Sequence, residues 1–197
     1  MYYEAIVIGV SSGGMNALKI IFSALPVDFN IPIIIVQHVG AHSDSQWIKL
    51  LNEKSPLEIK EADEKEKIEN GKIYIAPPNY HLLIEKDKTF SLTIDERVSF
   101  ARPSIDVLFE SAAEAYKNKL IGIVLTGSNH DGTKGITRIK ECGGLAIIQD
   151  PKTADSAYMP KSAIAAIVPD YILSLEDIVA LLIQMDQQKD NRNELDK

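Results

Sequence analysis

Two apolar runs separated by a helical pattern constrain the fold more than any other feature of this sequence. Residues 4–8 (EAIVI) and 31–37 (IPIIIVQ) are short runs rich in β-branched residues, which are typical of strands buried on both faces of a parallel sheet. Between them, residues 14–25 repeat apolar side chains at helical spacing, and Pro26 ends the pattern. The sequence therefore predicts a β-α-β unit with two parallel strands.

A later stretch repeats this alternation. Residues 104–117 and 133–142 have helical patterns, and each is followed by a buried apolar run, at 119–125 and 145–149. A glycine pair marks the end of the second helix. We therefore predict an α/β fold with a mostly parallel sheet flanked by helices.

The middle and the end of the chain follow other patterns. Residues 57–94 contain short apolar runs separated by turn residues, which predict an antiparallel β-excursion inserted into the sheet or added at its edge. The residues from Asp186 onward (DQQKDNRNELDK) have too little apolar content to pack. We therefore expect one domain at 1–185 and a disordered polar tail at 186–197.

Composition narrows the class of function. The chain has 197 residues, of which 45% are hydrophobic, and a formal net charge of −7 at pH 7. An acidic chain is a poor general nucleic-acid binder, because phosphate contacts require a basic surface. No segment approaches the roughly 20 apolar residues of a membrane span, no signal peptide is evident, and the single cysteine, Cys142, allows no internal disulfide. We expect a cytoplasmic protein that neither binds nucleic acid nor inserts into a membrane.

A serine lies in the first strand-to-helix turn, within the stretch Gly9-Val10-Ser11-Ser12-Gly13. This stretch matches the Gly-x-Ser-x-Gly pattern, in which small residues permit a strained turn that projects the serine hydroxyl. Backbone N–H groups at the start of the next helix can stabilise an oxyanion. A P-loop would need a lysine directly after the glycines, and a dinucleotide fingerprint would need glycine in place of Ser11. Taken alone, the motif is also compatible with a phosphate-binding loop or with tight packing.

His38 is the candidate base for this serine. It follows the second apolar run, so it lies at the same carboxyl edge of the sheet as Ser11, where open α/β proteins place their sites. Adjacent parallel strands are about 4.8 Å apart, which brings the two side chains within reach of each other. The alternatives are a capping or packed histidine, and a metal site with His42. No third ligand lies near the stretch HVGAH, so we expect no metal and no other cofactor.

Asp131 is the candidate carboxylate. It lies in the glycine-flanked loop GSNHDGTKG, which follows a third apolar run at the carboxyl end of its strand. A carboxylate there would orient the imidazole and stabilise its protonated form. The simpler interpretation is an N-cap for the helix that begins near Gly132. Three polar candidates at one edge of one sheet favour a catalytic role.

Six segments resemble the CheB-type protein-glutamate methylesterases of bacterial chemotaxis, from about residue 5 to residue 182. They are IGVSSGG, VQHV, YIAPPNYHL, RPSIDVLFES, GIVLTGSNHDG and QDPKTADSAYMPKSAI, in the family's order. The resemblance implies a doubly wound, mostly parallel sheet with a β-hairpin. It assigns Ser11 as the nucleophile, His38 as the base and Asp131 as the orienting carboxylate. It also implies that the backbone N–H of Ser12 and the region of Ser128 help to hold the oxyanion.

The resemblance further implies a substrate and partners. These are glutamyl methyl esters on the cytoplasmic helices of methylated chemoreceptors, with glutamine deamidation as an additional activity. Arg102 could position an acidic receptor surface near the cleft, or could instead make a structural ion pair or helix-entry contact. Chemotaxis members of the family usually carry an N-terminal receiver domain, and none precedes the first strand here. We therefore expect a catalytic domain alone, controlled by substrate encounter or by a separate response regulator.

Two residues depart from the family's Gly-x-Gly-x-Asp-Gly loop. Asn129 stands in place of the second glycine, where it could reshape the oxyanion side, and His130 precedes the aspartate as an alternative base. Two other functions stay open from the sequence. One is a triad esterase or amidase that acts on another protein or a small molecule. The other is a non-catalytic module whose serine loop binds an anion.

Overall fold

The structure is a computed structural model that describes residues 2–38 and 46–193, and of residues 188–193 the backbone alone. The strands are β1 (Ala5–Val10), β2 (Ile33–Gln37), β3 (Glu58–Glu61), β4 (Lys72–Ile75), β5 (His81–Ile84), β6 (Phe90–Thr93), β7 (Leu120–Val124), β8 (Leu145–Gln149) and β9 (Tyr171–Leu173). The helices are α1 (Gly14–Ala24), α2 (Gln46–Asn52), α3 (Ile105–Tyr116), α4 (Thr133–Glu141), α5 (Tyr158–Ala166) and α6 (Leu175–Asn193).

Seven strands form one sheet in the order β3-β4-β2-β1-β7-β8-β9, and every pair in it is parallel. The chain builds outward from β1 through β2 on one side. After α3 it returns to the other side of β1 as β7, so the strand order reverses between β1 and β7. In open α/β sheets, a crevice forms at such a reversal, outside the carboxyl ends of the strands. The predicted doubly wound sheet is confirmed, and its crevice lies where β1 ends.

Helices cover both faces of the sheet because side chains alternate along each buried strand. In β1, Ile6 and Ile8 belong to the core under α1, α2 and α6, whereas Ala5 and Val7 belong to the core under α3, α4 and α5. Every residue of β1, β2 and β7 is buried. This two-sided burial explains why these strands read as continuous apolar runs rather than as alternating ones.

The middle segment is antiparallel in one half only. β5 and β6 pair antiparallel as the predicted hairpin, which packs beside α3. β3 and β4 instead join the main sheet, where β4 pairs parallel with β2. The prediction of antiparallel pairing was wrong for β3 and β4, because the sequence of a four-residue strand does not indicate the direction in which it pairs. Its orientation depends on which strand it lies beside.

The predicted boundary at residue 185 falls inside a helix. α6 continues to Asn193, and Asp186 is only 6% exposed. The Asp186 carboxylate accepts hydrogen bonds from the N–H groups of Asn30 and Ile31, both at 3.1 Å. The tail prediction was wrong at Asp186, because one buried carboxylate that binds backbone donors looks the same in sequence as a solvated one. No helix in the described part of the chain is long and apolar enough to cross a membrane.

Candidate active site

Ser11 lies directly after β1, at the point where the strand order reverses. Its N–H donates to the carbonyl oxygen of Thr126 at 3.0 Å, which ties this turn to the end of β7. Gly13 has a φ of +83°, a left-handed conformation that glycine adopts without a Cβ clash. A Cβ on Gly9 would lie 2.3 Å from Cγ2 of Ile105, so Gly9 allows α3 to approach β1 closely. The special backbone geometry predicted for this motif therefore resides at Gly13, and Gly9 serves packing.

His38 follows β2 and lies between Ser11 and Asp131. Its Nδ1 is 3.2 Å from Ser11 Oγ, and its Nε2 is 2.8 Å from Asp131 Oδ2. An ionised carboxylate only accepts hydrogen bonds, so in the neutral ring Nε2 carries the proton and Nδ1 presents its lone pair to the serine. The side chain of His38 is 13% exposed and that of Asp131 is 0% exposed. The ring thus joins a buried carboxylate to a serine at the edge of the cleft.

The Asp131 carboxylate is held by donors from two segments besides His38. They are Ser104 Oγ at 2.9 Å, Ile105 N at 2.7 Å, Asp106 N at 3.0 Å and Gly132 N at 3.0 Å. The first three belong to the start of α3. Asp131 therefore caps α3, whereas α4, the helix that follows it, begins without a side-chain cap. The capping alternative was right about the type of contact and wrong about the helix.

These hydrogen bonds keep Asp131 ionised. Burial alone would raise the pKa of its carboxyl, but the hydrogen bonds from His38 and from the N–H groups of Asp106 and Ile105 outweigh burial and lower the pKa. The neighbouring Asp106, which is 3% exposed, behaves in the opposite way. Burial raises the pKa of Asp106 to about 6 despite a 2.8 Å hydrogen bond from Gly135 N, and the charge of Asp131 adds to the rise. On acidification, Asp106 is therefore protonated before Asp131.

Ser12 and Ser128 lie together beside Ser11. Their hydroxyl oxygens are 2.8 Å apart, and both residues are exposed. The Ser12 carbonyl accepts a hydrogen bond from Thr126 Oγ1 at 2.8 Å, which holds the turn against the loop after β7. The backbone N–H groups of Ser12 and Ser128 donate to no acceptor within the part of the chain that the structure describes. Both are therefore available to an anionic group bound near Ser11.

Asn129 also enters this site. Its Oδ1 accepts a hydrogen bond from the N–H of Asp131 at 3.0 Å, which fixes the orientation of the amide. Its Nδ2 then lies 3.0 Å from His38 Nδ1. The amide of Asn129 and the hydroxyl of Ser11 thus converge on the same lone pair of the imidazole.

Comparison with known proteins gives this arrangement a family. A family model described as CheB methylesterase matches residues 6–182. The chain belongs to the CheB methylesterase family. The crystal structure of the Thermotoga maritima CheB methylesterase catalytic domain is similar with a TM-score of 0.89 and 36% identity, over 94% of this chain and 100% of that one. The predicted family and fold are confirmed.

Two curated relatives show how far this CheB methylesterase match extends. A Leptospira interrogans protein, provisionally named protein-glutamate methylesterase/protein-glutamine glutaminase, is 62% identical over 187 residues, which cover 95% of this chain and 97% of the relative. The Thermotoga maritima protein-glutamate methylesterase/protein-glutamine glutaminase is 37% identical over 185 residues. That match covers 92% of this chain and 54% of the relative, so the chain spans about half the length of the Thermotoga protein.

The two alternative histidines that the sequence offered, His130 and His42, have different outcomes. His130 is exposed, and His38 is the histidine that hydrogen-bonds both Ser11 and Asp131. His42 lies outside the described residues, so the proposed His38–His42 pair is untested. Among residues 2–38 and 46–187, no group of three or more His, Cys, Asp or Glu side chains is arranged to hold a metal ion.

Arg102 lines the same cleft as Ser11 and His38, but its guanidinium group is engaged within its own loop. Nη1 donates to the carbonyl oxygens of Ile94 and Asp95, at 2.5 and 3.0 Å. This supports the structural interpretation of Arg102, with backbone carbonyls as its partners instead of a carboxylate.

Sequence reasoning missed the residues that support the site from behind. Ser104 is fully buried, donates its hydroxyl to Asp131 and donates its N–H to His81 Nδ1 at 3.2 Å. Gln37 is buried, and its amide donates to the carbonyl oxygens of Ser11 and His38 at 3.1 and 2.9 Å. Gln37 thereby ties the first two turns together. A signal for it was available, since a polar residue at the end of an apolar strand needs buried partners.

Proposed function

We propose that this chain is a serine esterase that hydrolyses glutamyl methyl esters on methylated chemoreceptors. The observation that carries the proposal is the series of hydrogen bonds from Ser11 Oγ through His38 to Asp131, with separations of 3.2 and 2.8 Å. Membership of the CheB methylesterase family supports the reaction, and the names of the Leptospira and Thermotoga relatives support the substrate class.

In the first step, Ser11 Oγ attacks the ester carbonyl while His38 Nδ1 takes its proton. General base catalysis of this kind contributes about 10²–10⁴-fold. The N–H groups of Ser12 and Ser128 receive the developing oxyanion, and one such donor is worth roughly 3 kcal/mol. Asp131 stays ionised throughout and stabilises the protonated imidazole.

In the second step, the tetrahedral intermediate collapses to an acyl-enzyme. The proton on His38 Nδ1 passes to the leaving oxygen, and methanol departs. Water, activated by the same nitrogen, then attacks the acyl carbonyl and releases a glutamate carboxylate and free Ser11. Nδ1 faces the serine here, whereas Nε2 does so in the serine-protease arrangement, and either imidazole nitrogen can carry the proton.

A glutamine side chain would enter the same cycle. Attack of Ser11 on its amide carbonyl would give the same acyl-enzyme, with ammonia leaving instead of methanol. The second part of the relatives' names, protein-glutamine glutaminase, supports this additional reaction. We place both reactions in the cytoplasm and take a response regulator as a further partner.

A fluorophosphonate probe tests whether Ser11 is a nucleophile. We expect stoichiometric labelling, located at Ser11 by peptide mass spectrometry, in the wild-type protein and in the control Asp28→Asn, which alters an exposed carboxylate. Labelling should be lost in Ser11→Ala and slowed strongly in His38→Ala. If the folded wild-type protein takes up no label, a non-catalytic anion-binding module becomes the better explanation.

A further inference from the structure

A tight β-turn stands at the mouth of the active-site cleft. Val98 and Ala101 form an antiparallel bridge and exchange backbone hydrogen bonds of 3.1 and 2.9 Å. Ser99 and Phe100 form the tip between them, with φ values of 49° and 64°. Positive φ at both central residues is the mark of a type I′ turn, which favours asparagine and glycine.

Phe100 is an unfavourable choice for this tip in two respects. A bulky side chain in the left-handed region is strained, because its Cβ crowds the backbone. The ring is also 94% exposed, so burial within the described structure does not compensate for that strain. Strain of this kind persists mainly where a residue serves a function.

The position of the turn indicates what that function is. Ser11, His38 and Asn129 line the cleft on the side of the sheet, and Arg97, Phe100 and Arg102 line it on the side of the loop. The hydrogen bonds of Arg102 to the carbonyls of Ile94 and Asp95 hold the base of this loop in place. Phe100 therefore projects from a loop that is held by hydrogen bonds, at the cleft that Ser11 also lines.

The charge around the cleft indicates which kind of partner could bind there. Its charged lining residues in the described part of the chain are two arginines, although the net charge of the whole chain is −7. Asp95 and Glu96 precede Arg97 along the chain but do not line the cleft. A helix that carries glutamyl sites is acidic wherever those sites are unesterified, so it complements such a lining.

We propose that Phe100 is the docking residue for the protein substrate, and this proposal rests on the function proposed above. Its ring packs into the apolar seam of an acidic, amphipathic substrate helix, next to the glutamyl ester that enters the cleft. Arg97 pairs with unesterified glutamates of the same helix. Exposed aromatic residues that become buried on binding are frequent anchors of interfaces.

Three substitutions separate docking from chemistry. Phe100→Ala removes the ring, and Phe100→Gly also relieves the left-handed strain. Val168→Ala is the matched control. Val168 is 86% exposed and precedes β9, so it lies at the amino ends of the strands, whereas the cleft lies at their carboxyl ends. Each variant is assayed for hydrolysis of p-nitrophenyl acetate, which has no helix for Phe100 to pack against, and for methanol release from a methylated receptor fragment.

Both Phe100 variants should lose at least about tenfold in kcat/KM on the receptor fragment, mainly through KM, and retain wild-type activity on p-nitrophenyl acetate. Phe100→Gly should unfold at the wild-type temperature or above it, which a structural role for the ring would not allow. Val168→Ala should match the wild type on both substrates. Equal losses on both substrates, or unchanged receptor hydrolysis in Phe100→Ala, would overturn the docking proposal.

A binding measurement keeps this proposal separate from the proposed catalytic function. Ser11→Ala is titrated with a fluorescently labelled, methylated receptor fragment, alone and combined with Phe100→Ala. We expect binding that weakens at least about tenfold in the double variant. If the fragment binds in this way and the wild-type enzyme releases no methanol, the catalytic function fails and the docking site stands. Equal binding by the two variants, or no binding by either, refutes the docking site.

Discussion

The N–H of Ile105 donates to Asp131 Oδ2 at 2.7 Å, and that same oxygen accepts the hydrogen bond from His38 Nε2 at 2.8 Å. The carboxylate that orients the imidazole is thus also the cap of α3. Charge-assisted hydrogen bonds of this kind are shorter and stronger than neutral ones. The orientation of His38 therefore depends on a helix that begins 26 positions before Asp131 in the chain.

Asp131→Asn should impair both catalysis and stability. Each carboxylate oxygen accepts at least two donors, so an amide NH₂ at either position would face N–H or O–H groups. We expect a loss of about 10⁴-fold in kcat, the size of the corresponding change in a serine protease, and a loss of roughly 1–3 kcal/mol in the free energy of unfolding. Ester hydrolysis and urea unfolding measure the two effects. Asp28→Asn is the control, and wild-type stability in Asp131→Asn would contradict the capping role.

Asn129→Gly should raise the rate of ester hydrolysis. The Asn129 amide and the Ser11 hydroxyl compete for His38 Nδ1, at 3.0 and 3.2 Å. Without the amide, the lone pair of Nδ1 is left to Ser11, so kcat should increase by about two- to tenfold. The rate is measured with p-nitrophenyl acetate, and His130→Ala serves as the control that leaves it unchanged. A strong loss of rate in His130→Ala, with no change in Asn129→Gly, would mean that His130 is the base.

Asp106 should make the folded protein less stable as the pH rises from about 4 to about 6. The pKa of its carboxyl is raised from 3.8 to about 6, so the native state binds this proton more tightly than the unfolded chain. Asp106→Asn keeps an oxygen for the Gly135 N–H and carries no charge, so this decrease should be removed. We expect the difference in unfolding free energy between the two proteins to change by roughly 2 kcal/mol between pH 4 and pH 7. Parallel stability curves in urea would exclude the effect.

Asp186→Ala should destabilise the fold without changing the rate of ester hydrolysis. It leaves the N–H groups of Asn30 and Ile31 without their carboxylate acceptor, at a cost of about 1–3 kcal/mol. Gln187→Ala is the matched control, because the neighbouring Gln187 is exposed on the same helix. Thermal and urea unfolding of the two variants make the comparison. Equal stabilities would show that the contact of α6 with the segment before β2 contributes little.

The fold and the meeting of Ser11, His38 and Asp131 could be predicted because they follow from one rule. Buried apolar runs give parallel strands, and the carboxyl ends of parallel strands meet at one edge. The predicted residues lie at that edge and hydrogen-bond to one another. Their catalytic roles, and those of Ser12, Ser128 and Arg102, stay predictions.

What the sequence could not reveal depends on contacts between distant segments. Asp131 caps α3 and not its own helix because α3 packs across β1, where Gly9 leaves room for Ile105. The amide of Asn129 turns toward His38 because its oxygen binds the N–H of Asp131. Neither orientation leaves a trace in local composition or spacing.

Methanol release from a chemoreceptor fragment with methylated glutamyl side chains is the decisive assay. The wild-type protein should release methanol in step with the loss of methyl esters from the fragment. Ser11→Ala and His38→Ala should be slower by at least about a thousandfold, while their unfolding temperatures stay close to that of the wild type. Near-wild-type methanol release by folded Ser11→Ala would show that Ser11 is not the nucleophile. Release of no methanol by a wild-type protein that hydrolyses p-nitrophenyl acetate would show that its substrate is a different ester.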